Sequence, residues 1–241
     1  MNTTRYVLVF VLALTAIVAV LLTSLREATK VQAQLNEEIF EKRAILKAVQ
    51  DHLGENVEVD NLSDDEVLNI FNSSVEQKVL DMDGSEVDGM AAEDVDMAKE
   101  KKKPEEDRVL PLFIYSPEGS ADNFYIVSVR GNGLWDEIWG NIAFESDLNT
   151  ITGATFDHKG ETPGLGAEIK DNPTFAKNFK GTKIYKDGAY VSVEVKKGGA
   201  QDETHQVDGI SGATVTADGV SEMLYRGIKY YEPYFEKARS K

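Results

Sequence analysis

The chain has 241 residues, a formal net charge of −16, no cysteine and three histidines. The missing thiols exclude a disulfide framework, a cysteine nucleophile and a thiolate-bound iron–sulfur cluster. Binding a phosphate backbone needs clustered Lys and Arg, so this acidic balance argues against nucleic acid. His52, His158 and His205 lack the close spacing of a helical metal site, and no metal is expected.

From Tyr6 to Leu25 the sequence carries no charge. About 20 apolar residues at about 1.5 Å rise cross a hydrocarbon core of about 30 Å, so residues 1–26 are expected to form a single transmembrane anchor. A cleaved signal peptide is the competing reading. Its apolar run would end beside a small-residue site, whereas Val31-Gln32-Ala33 lies beyond the charged stretch Arg26 to Lys30. Arg5 before the span and Arg26 and Lys30 after it leave the orientation undecided by charge. Leu35, Ile39, Leu46, Val49 and Leu53 then fall on one helical stripe, which predicts a stalk over 27–54 closed by Gly54. Lys42 interrupts that stripe. The stripe suits either this chain's own domain or a partner protein.

Residues 55–108 hold 18 Asp or Glu against 6 Lys or Arg, so most of the net charge sits in this segment. Ser63 with Glu66 forms a capping box ahead of Val67, Leu68, Ile70 and Phe71, which predicts one short helix. High charge and low hydrophobicity predict disorder for the remainder. The segment is expected to be an acidic linker or insertion outside the core.

Residues 109–241 read as the folded domain. VLPLFIYS and FYIVSVRG predict strands, as do residues 139–145 and 150–156. Residues 190–196 alternate, with Val191, Val193 and Val195 on one face, which predicts a half-buried strand. Val220, Met223, Leu224, Ile228 and Tyr231 predict a final helix limited by Pro233. The fold class is therefore α+β: an N-terminal transmembrane helix followed by a mixed domain with antiparallel strands.

Asp208 to Thr216 reads DGISGATVT at the start of that helix. Small residues let the backbone approach a ligand, and a helix N-terminus favours an anion such as phosphate. Taken by spacing alone, a capped turn is the favoured reading of the string. Pro163 and Gly164 in ETPGLG, residues 161–166, form a turn. GNGLWDEIWG, residues 131–140, is no dinucleotide fingerprint, because Asp136 stands where a third glycine is needed.

Ser211 to Thr216, SGATVT, resembles the S/T-G-A-T-x-T signature of the FMN-binding domain family shared by the sodium-translocating NADH:quinone oxidoreductase and its Rnf relatives. ETPGLG and the GLW of residues 133–135 are similar to the same family. The resemblance implies FMN joined through a phosphoester to Thr216 by a separate flavin transferase. It also implies that Ser211, Gly212, Ala213, Thr214 and Val215 shape the attachment loop, and that Thr162, Gly164, Leu165 and Trp135 lie by the isoalloxazine ring. Trp139 is a weaker candidate. Thr152 to Thr155 repeats TGAT, but Asp157 occupies the sixth position and offers no hydroxyl. The resemblance further implies an electron carrier in a bacterial inner membrane, its domain on the periplasmic side. It would assemble with other membrane proteins into a complex that oxidises NADH, reduces ubiquinone and exports sodium, and would have little activity alone. The long region between anchor and domain favours the NqrC type, the C component of that oxidoreductase, over the G component of an Rnf complex. A membrane-tethered flavin-binding module without a pump is the third reading.

Overall fold

Alternating apolar residues from Val75 to His158 build the centre of the fold. The computed structural model describes residues 3–55 and 57–240; residues 1, 2, 56 and 241 lie outside the described residues. Helix α1 (Thr3–Ala48) runs through the uncharged stretch. It is long and apolar enough to cross a membrane, and its side chains over the apolar window are exposed. The chain divides after Glu41 into two units. Within the second, α1 ends at Ala48, short of the predicted stop at Gly54. A 3₁₀ turn at Gln50–His52 follows, and Gly54 takes φ 130°.

The second unit is built on a five-stranded antiparallel sheet in sequence order: β1 (Val75–Leu80), β2 (Leu110–Tyr115), β3 (Phe124–Asn132), β4 (Glu137–Phe144) and β5 (Ile151–His158). β1 pairs Val75 with Tyr115 and Leu80 with Leu110, so the sheet begins inside the acidic segment. The expectation of a mostly disordered insertion over 55–108 therefore gives way to an ordered one. α2 (Asp64–Ser74) starts on the predicted capping box. Its Val67 and Phe71 are buried, as are Val79 and Leu80 of β1. The acids occupy the solvent side: Asp64, Asp65 and Glu66 are exposed on the same helix. Averaged composition hides this periodicity. α3 (Met97–Glu100) completes the segment, and buried Glu100 accepts the Val109 N–H at 3.1 Å. Lys42, the apparent flaw in the stalk stripe, is buried, pairs with Glu93 at 2.7 Å and lies over the Phe71 ring.

β2 is buried along its whole length because both faces of the sheet are covered. On one face, Phe113 meets Phe71 of α2, and Tyr115 donates to the His52 carbonyl. On the other, two short helices, α4 (Glu168–Asp171) and α5 (Pro173–Lys177), follow β5, and Phe156, Phe175 and Phe179 interlock at ring distances of 5.0–5.5 Å. A hairpin of β6 (Tyr185–Lys186) and β7 (Ala189–Tyr190) and a parallel pair of β8 (Glu194–Lys196) and β9 (Gln206–Asp208) lead to the main helix, α6 (Thr214–Lys229). The single strand predicted over 190–196 is broken. Val191 and Ser192 both donate to the Ile184 carbonyl, and Ser192 is forced to φ 63°. The hairpin closes on that carbonyl and ends the alternation.

α6 packs its Val220, Met223, Leu224 and Ile228 into the core against the sheet. α6 ends at Lys229, before Tyr231 of the predicted stripe, and Pro233 opens a further helix, α7 (Glu232–Arg239), at a position where proline's missing N–H costs nothing, so α6 is not the final helix. Phe235 of α7 meets Phe144 edge-on at 5.4 Å, and the Tyr231 hydroxyl donates to the Pro111 carbonyl at 2.9 Å. The chain thus folds as predicted in class: an apolar helix and an α+β domain with antiparallel strands.

Candidate functional site

Three loops at one end of the sheet meet at Thr216. The β3–β4 turn closes with Gly133 N–H donating to the Asp136 carbonyl at 2.8 Å, and it projects Leu134 and Trp135. The loop after β5 carries Glu161 to Gly166, where Leu165 and Ala167 N–H both donate to the Thr162 carbonyl at 3.1 Å. Gly164 supplies φ 73° for that turn, a conformation few other residues adopt cheaply. The third loop enters α6. Gly212 has φ 77°, and a Cβ there would stand 2.7 Å from Leu165 Cδ2, so glycine permits the second and third loops to touch.

Glu161 ties the three together. Its Oε1 accepts the Trp135 N–H at 2.9 Å and its Oε2 accepts the Thr216 hydroxyl at 2.7 Å. Its own N–H donates to His158 Nδ1 at 3.2 Å. Glu161 is 5% exposed and Thr216 1%. Burial pushes the Glu161 carboxyl up, but the Thr216 hydroxyl, the N–H groups of Trp135 and Asp136 and the charge of His158 together hold it below the ordinary glutamate value. The group is therefore a carboxylate at neutral pH.

Around this buried pair the surface is apolar. Trp135 is 69% exposed, Val215 53% and Leu165 41%. The Trp135 indole N–H donates to Thr162 Oγ1 at 3.0 Å, linking the first two loops at the surface. Ser211 and Gly212 are exposed, Ala213 is buried and Thr214 half-buried. Ser211 and Gly164 line a cleft of about 380 Å³ that runs toward Glu168, Asn172 and Phe175. No side chain caps α6, whose N-cap is Ala213, so the N–H groups of its first turn stay open to a ligand. The residue chemistry suits an aromatic ring bearing a phosphate: exposed apolar side chains to lie against, first-turn N–H donors for the anion, and a threonine hydroxyl that lies buried under the 162–166 turn in this conformation.

Thr214, Val215 and Thr216 form the first turn of α6, and the other seven residues expected at the site belong to these loops. Trp139 does not: it lies on β4 beneath the Arg130 guanidinium, 4.8 Å from its ring centre. The Thr152–Thr155 decoy lies within β5, where Thr155 donates to the Ala44 carbonyl and Thr152 bonds His52. Sequence reasoning missed Glu161 and His158. Glu161 begins the ETPGLG string and was visible as a letter, but its bond to a residue 55 positions away was not.

Residues 133–229 match a family described as FMN-binding domain. The NqrC protein of Vibrio anguillarum, the C component of its Na(+)-translocating NADH-quinone reductase, is 34% identical over 214 residues, covering 80% of this chain and 83% of that protein. The chain belongs to this NqrC family. The Neisseria meningitidis serogroup A member is 33% identical over 195 residues, covering 73% of this chain and 75% of that protein. Among solved structures, the same component from Parabacteroides distasonis superposes with a TM-score of 0.73 at 36% identity, covering 84% of this chain and 94% of that one. NqrC from Shewanella oneidensis gives 0.70 at 27% identity, covering 86% and 100%. The family segment begins at Gly133, so all three loops of the site fall within it.

Proposed function

We propose that this chain is the FMN carrier of a sodium-translocating NADH:quinone oxidoreductase and holds its flavin covalently on Thr216. The carrying observation is the convergence of three loops from the family segment on one threonine hydroxyl, in the first turn of an uncapped helix. Thr216 Oγ1 would bear the phosphoryl group. Ser211, Gly212, Ala213, Thr214 and Val215 leave it room, and the start of α6 favours its remaining negative charge by about 0.3–1 kcal/mol. Trp135, Thr162, Gly164 and Leu165 would border the ring and exclude water from it. Bound there, FMN would supply exchange of one or two electrons. The chain's own work is to fix that group and shield it. NADH oxidation, quinone reduction and sodium export would belong to the whole complex, whose other membrane proteins are the partners. α1 would anchor the chain once in a bacterial inner membrane, with the domain on the periplasmic side. A flavin transferase would make the bond during maturation.

The test is direct. Co-expressed with an active transferase, the full-length chain should run as a flavin-fluorescent band on a denaturing gel. Thr216→Ala should abolish the band and Thr155→Ala should keep it. Peptide mass spectrometry should place FMN, less one water, on Thr216. Flavin on Thr214, or no covalent flavin at all, would overturn this reading.

A further inference from the structure

We propose that Glu161 is the proton acceptor this chain carries for its own flavin attachment, taking the Thr216 Oγ1 proton as that oxygen attacks phosphorus. The proposal rests on the reading of Thr216 as the attachment residue. It deepens that reading by assigning part of the chemistry to the acceptor protein itself.

A threonine hydroxyl is a poor nucleophile until something receives its proton. Thr216 donates to a carboxylate oxygen at 2.7 Å. Its competitors have no such receiver. Thr155 donates to the Ala44 carbonyl, which cannot be protonated at neutral pH. Thr162 Oγ1 accepts the Trp135 indole N–H. Among the described residues the Thr214 hydroxyl makes no hydrogen bond. The pairing thus distinguishes Thr216 from Thr214 within the SGATVT string.

Glu161 is also held in place. Trp135 N–H binds its other oxygen, and His158 receives its backbone N–H. A buried, ionised carboxylate is a weak base, but phosphoryl transfer through a loose transition state releases the hydroxyl proton late. A carboxylate serves as the acceptor in protein kinases on the same principle.

The pair is closed in this conformation. Thr216 is 1% exposed, and a Cβ on Gly166 would lie 2.6 Å from its Oγ1, so the 162–166 turn covers it. For a donor to reach the hydroxyl that turn must move aside, and Glu161 is held by contacts of its own, to the Trp135 N–H and His158.

The donor is a flavin nucleotide whose phosphate is activated as a phosphoanhydride, since joining a free phosphate to an alcohol expels water against a large excess of it. The Thr216 Oγ1–P bond forms, the anhydride P–O bond breaks, and the other half of the donor leaves with the bonding pair. The proton passes to Glu161 Oε2. No oxidant or reductant takes part. The neutralised carboxyl then faces the new phosphodiester without like-charge repulsion.

Glu161→Gln keeps the shape and one acceptor oxygen but takes no proton; because its NH2 must replace the oxygen facing either the Trp135 N–H or the Thr216 hydroxyl, retained cooperative melting and an unchanged half-saturating concentration are what separate this role from a structural one. The full-length chain, the transferase and a flavin phosphoanhydride donor are mixed, and covalent flavin is followed by in-gel fluorescence and intact mass. The maximal rate should fall roughly 10²-fold or more, with the half-saturating concentration of acceptor chain unchanged and cooperative melting retained. If Glu161→Gln fails to melt cooperatively, Glu161→Asp decides: it keeps the charge but withdraws it by one methylene, and should be slowed. A wild-type rate in the folded variant overturns the proposal alone. Absence of covalent flavin on the wild-type chain overturns it together with the attachment reading.

Discussion

Trp135 and Leu165 are large apolar side chains left in water beside a buried carboxylate–hydroxyl pair, and that contrast sets their expected behaviour. Because Trp135 is mostly exposed, truncating it removes little packing, and Trp135→Ala should change stability by no more than about 0.5 kcal/mol. Leu165 is more than half buried and lies against Gly212, so Leu165→Ala should cost more, about 1 kcal/mol. An aromatic side chain against a flavin ring excludes water and quenches emission, so both variants should retain covalent flavin but fluoresce more strongly or shift the redox midpoint. Spectra and midpoints identical to wild type would remove these two residues from the ring environment. Thr216 shows the opposite pattern: its importance lies in one buried bond, not in its surface.

At the scale of elements, β1 carries the clearest consequence. The edge strand Val75–Leu80 comes from the most acidic part of the chain, yet Val79 and Leu80 are buried and every residue of the strand pairs with β2. Leu80→Ala opens a cavity in a fully enclosed place and should cost about 2–5 kcal/mol, read as a lowered melting temperature. Replacing residues 75–80 by a Gly/Ser linker should abolish cooperative melting and flavin incorporation together. A linker variant that melts like wild type would show β1 to be dispensable. Charge substitution at exposed Asp64 or Asp65 should matter far less; the Asp64 end of the Arg43–Asp64 pair at 3.0 Å is open to solvent, and pairs screened in this way contribute about 0–1 kcal/mol.

For the molecule as a whole, α1 decides where the domain works. Its apolar window is exposed along its length, which in water would be an unsustainable apolar surface and in a bilayer is a lipid-facing one. Carbonate-washed membranes should therefore retain the full-length chain. If the domain faces the periplasm as proposed, protease added to spheroplasts should cleave it without lysis. Release by carbonate would remove the anchor reading, and protection until lysis would reverse the orientation.

Local patterns were legible in the sequence wherever the physics is local. The twenty-residue apolar window, the Ser63–Glu66 capping box, the strands around 110–115, 124–132, 137–144 and 151–158, and the α6 stripe all follow from periodicity or from neighbours three or four residues apart. The SGATVT string marked its own place at a helix start, and the ten expected site residues fell in three loops and the first turn of α6. Burial and pairing across long separations had no such signal. Composition hid β1, because averaging over 55–108 blurs buried Val59, Val67, Phe71, Val79, Leu80 and Ala92 into a charged background. A clean alternation over 190–196 was broken by the Ile184 carbonyl, a partner that only the fold supplies. Lys42 looked like a flaw in a stripe until Glu93 and Phe71 closed around it. The bond between Glu161 and Thr216 joins residues 55 apart, and only the tertiary structure makes it, because a hydrogen bond depends on where two atoms end up and the sequence states only which atoms exist.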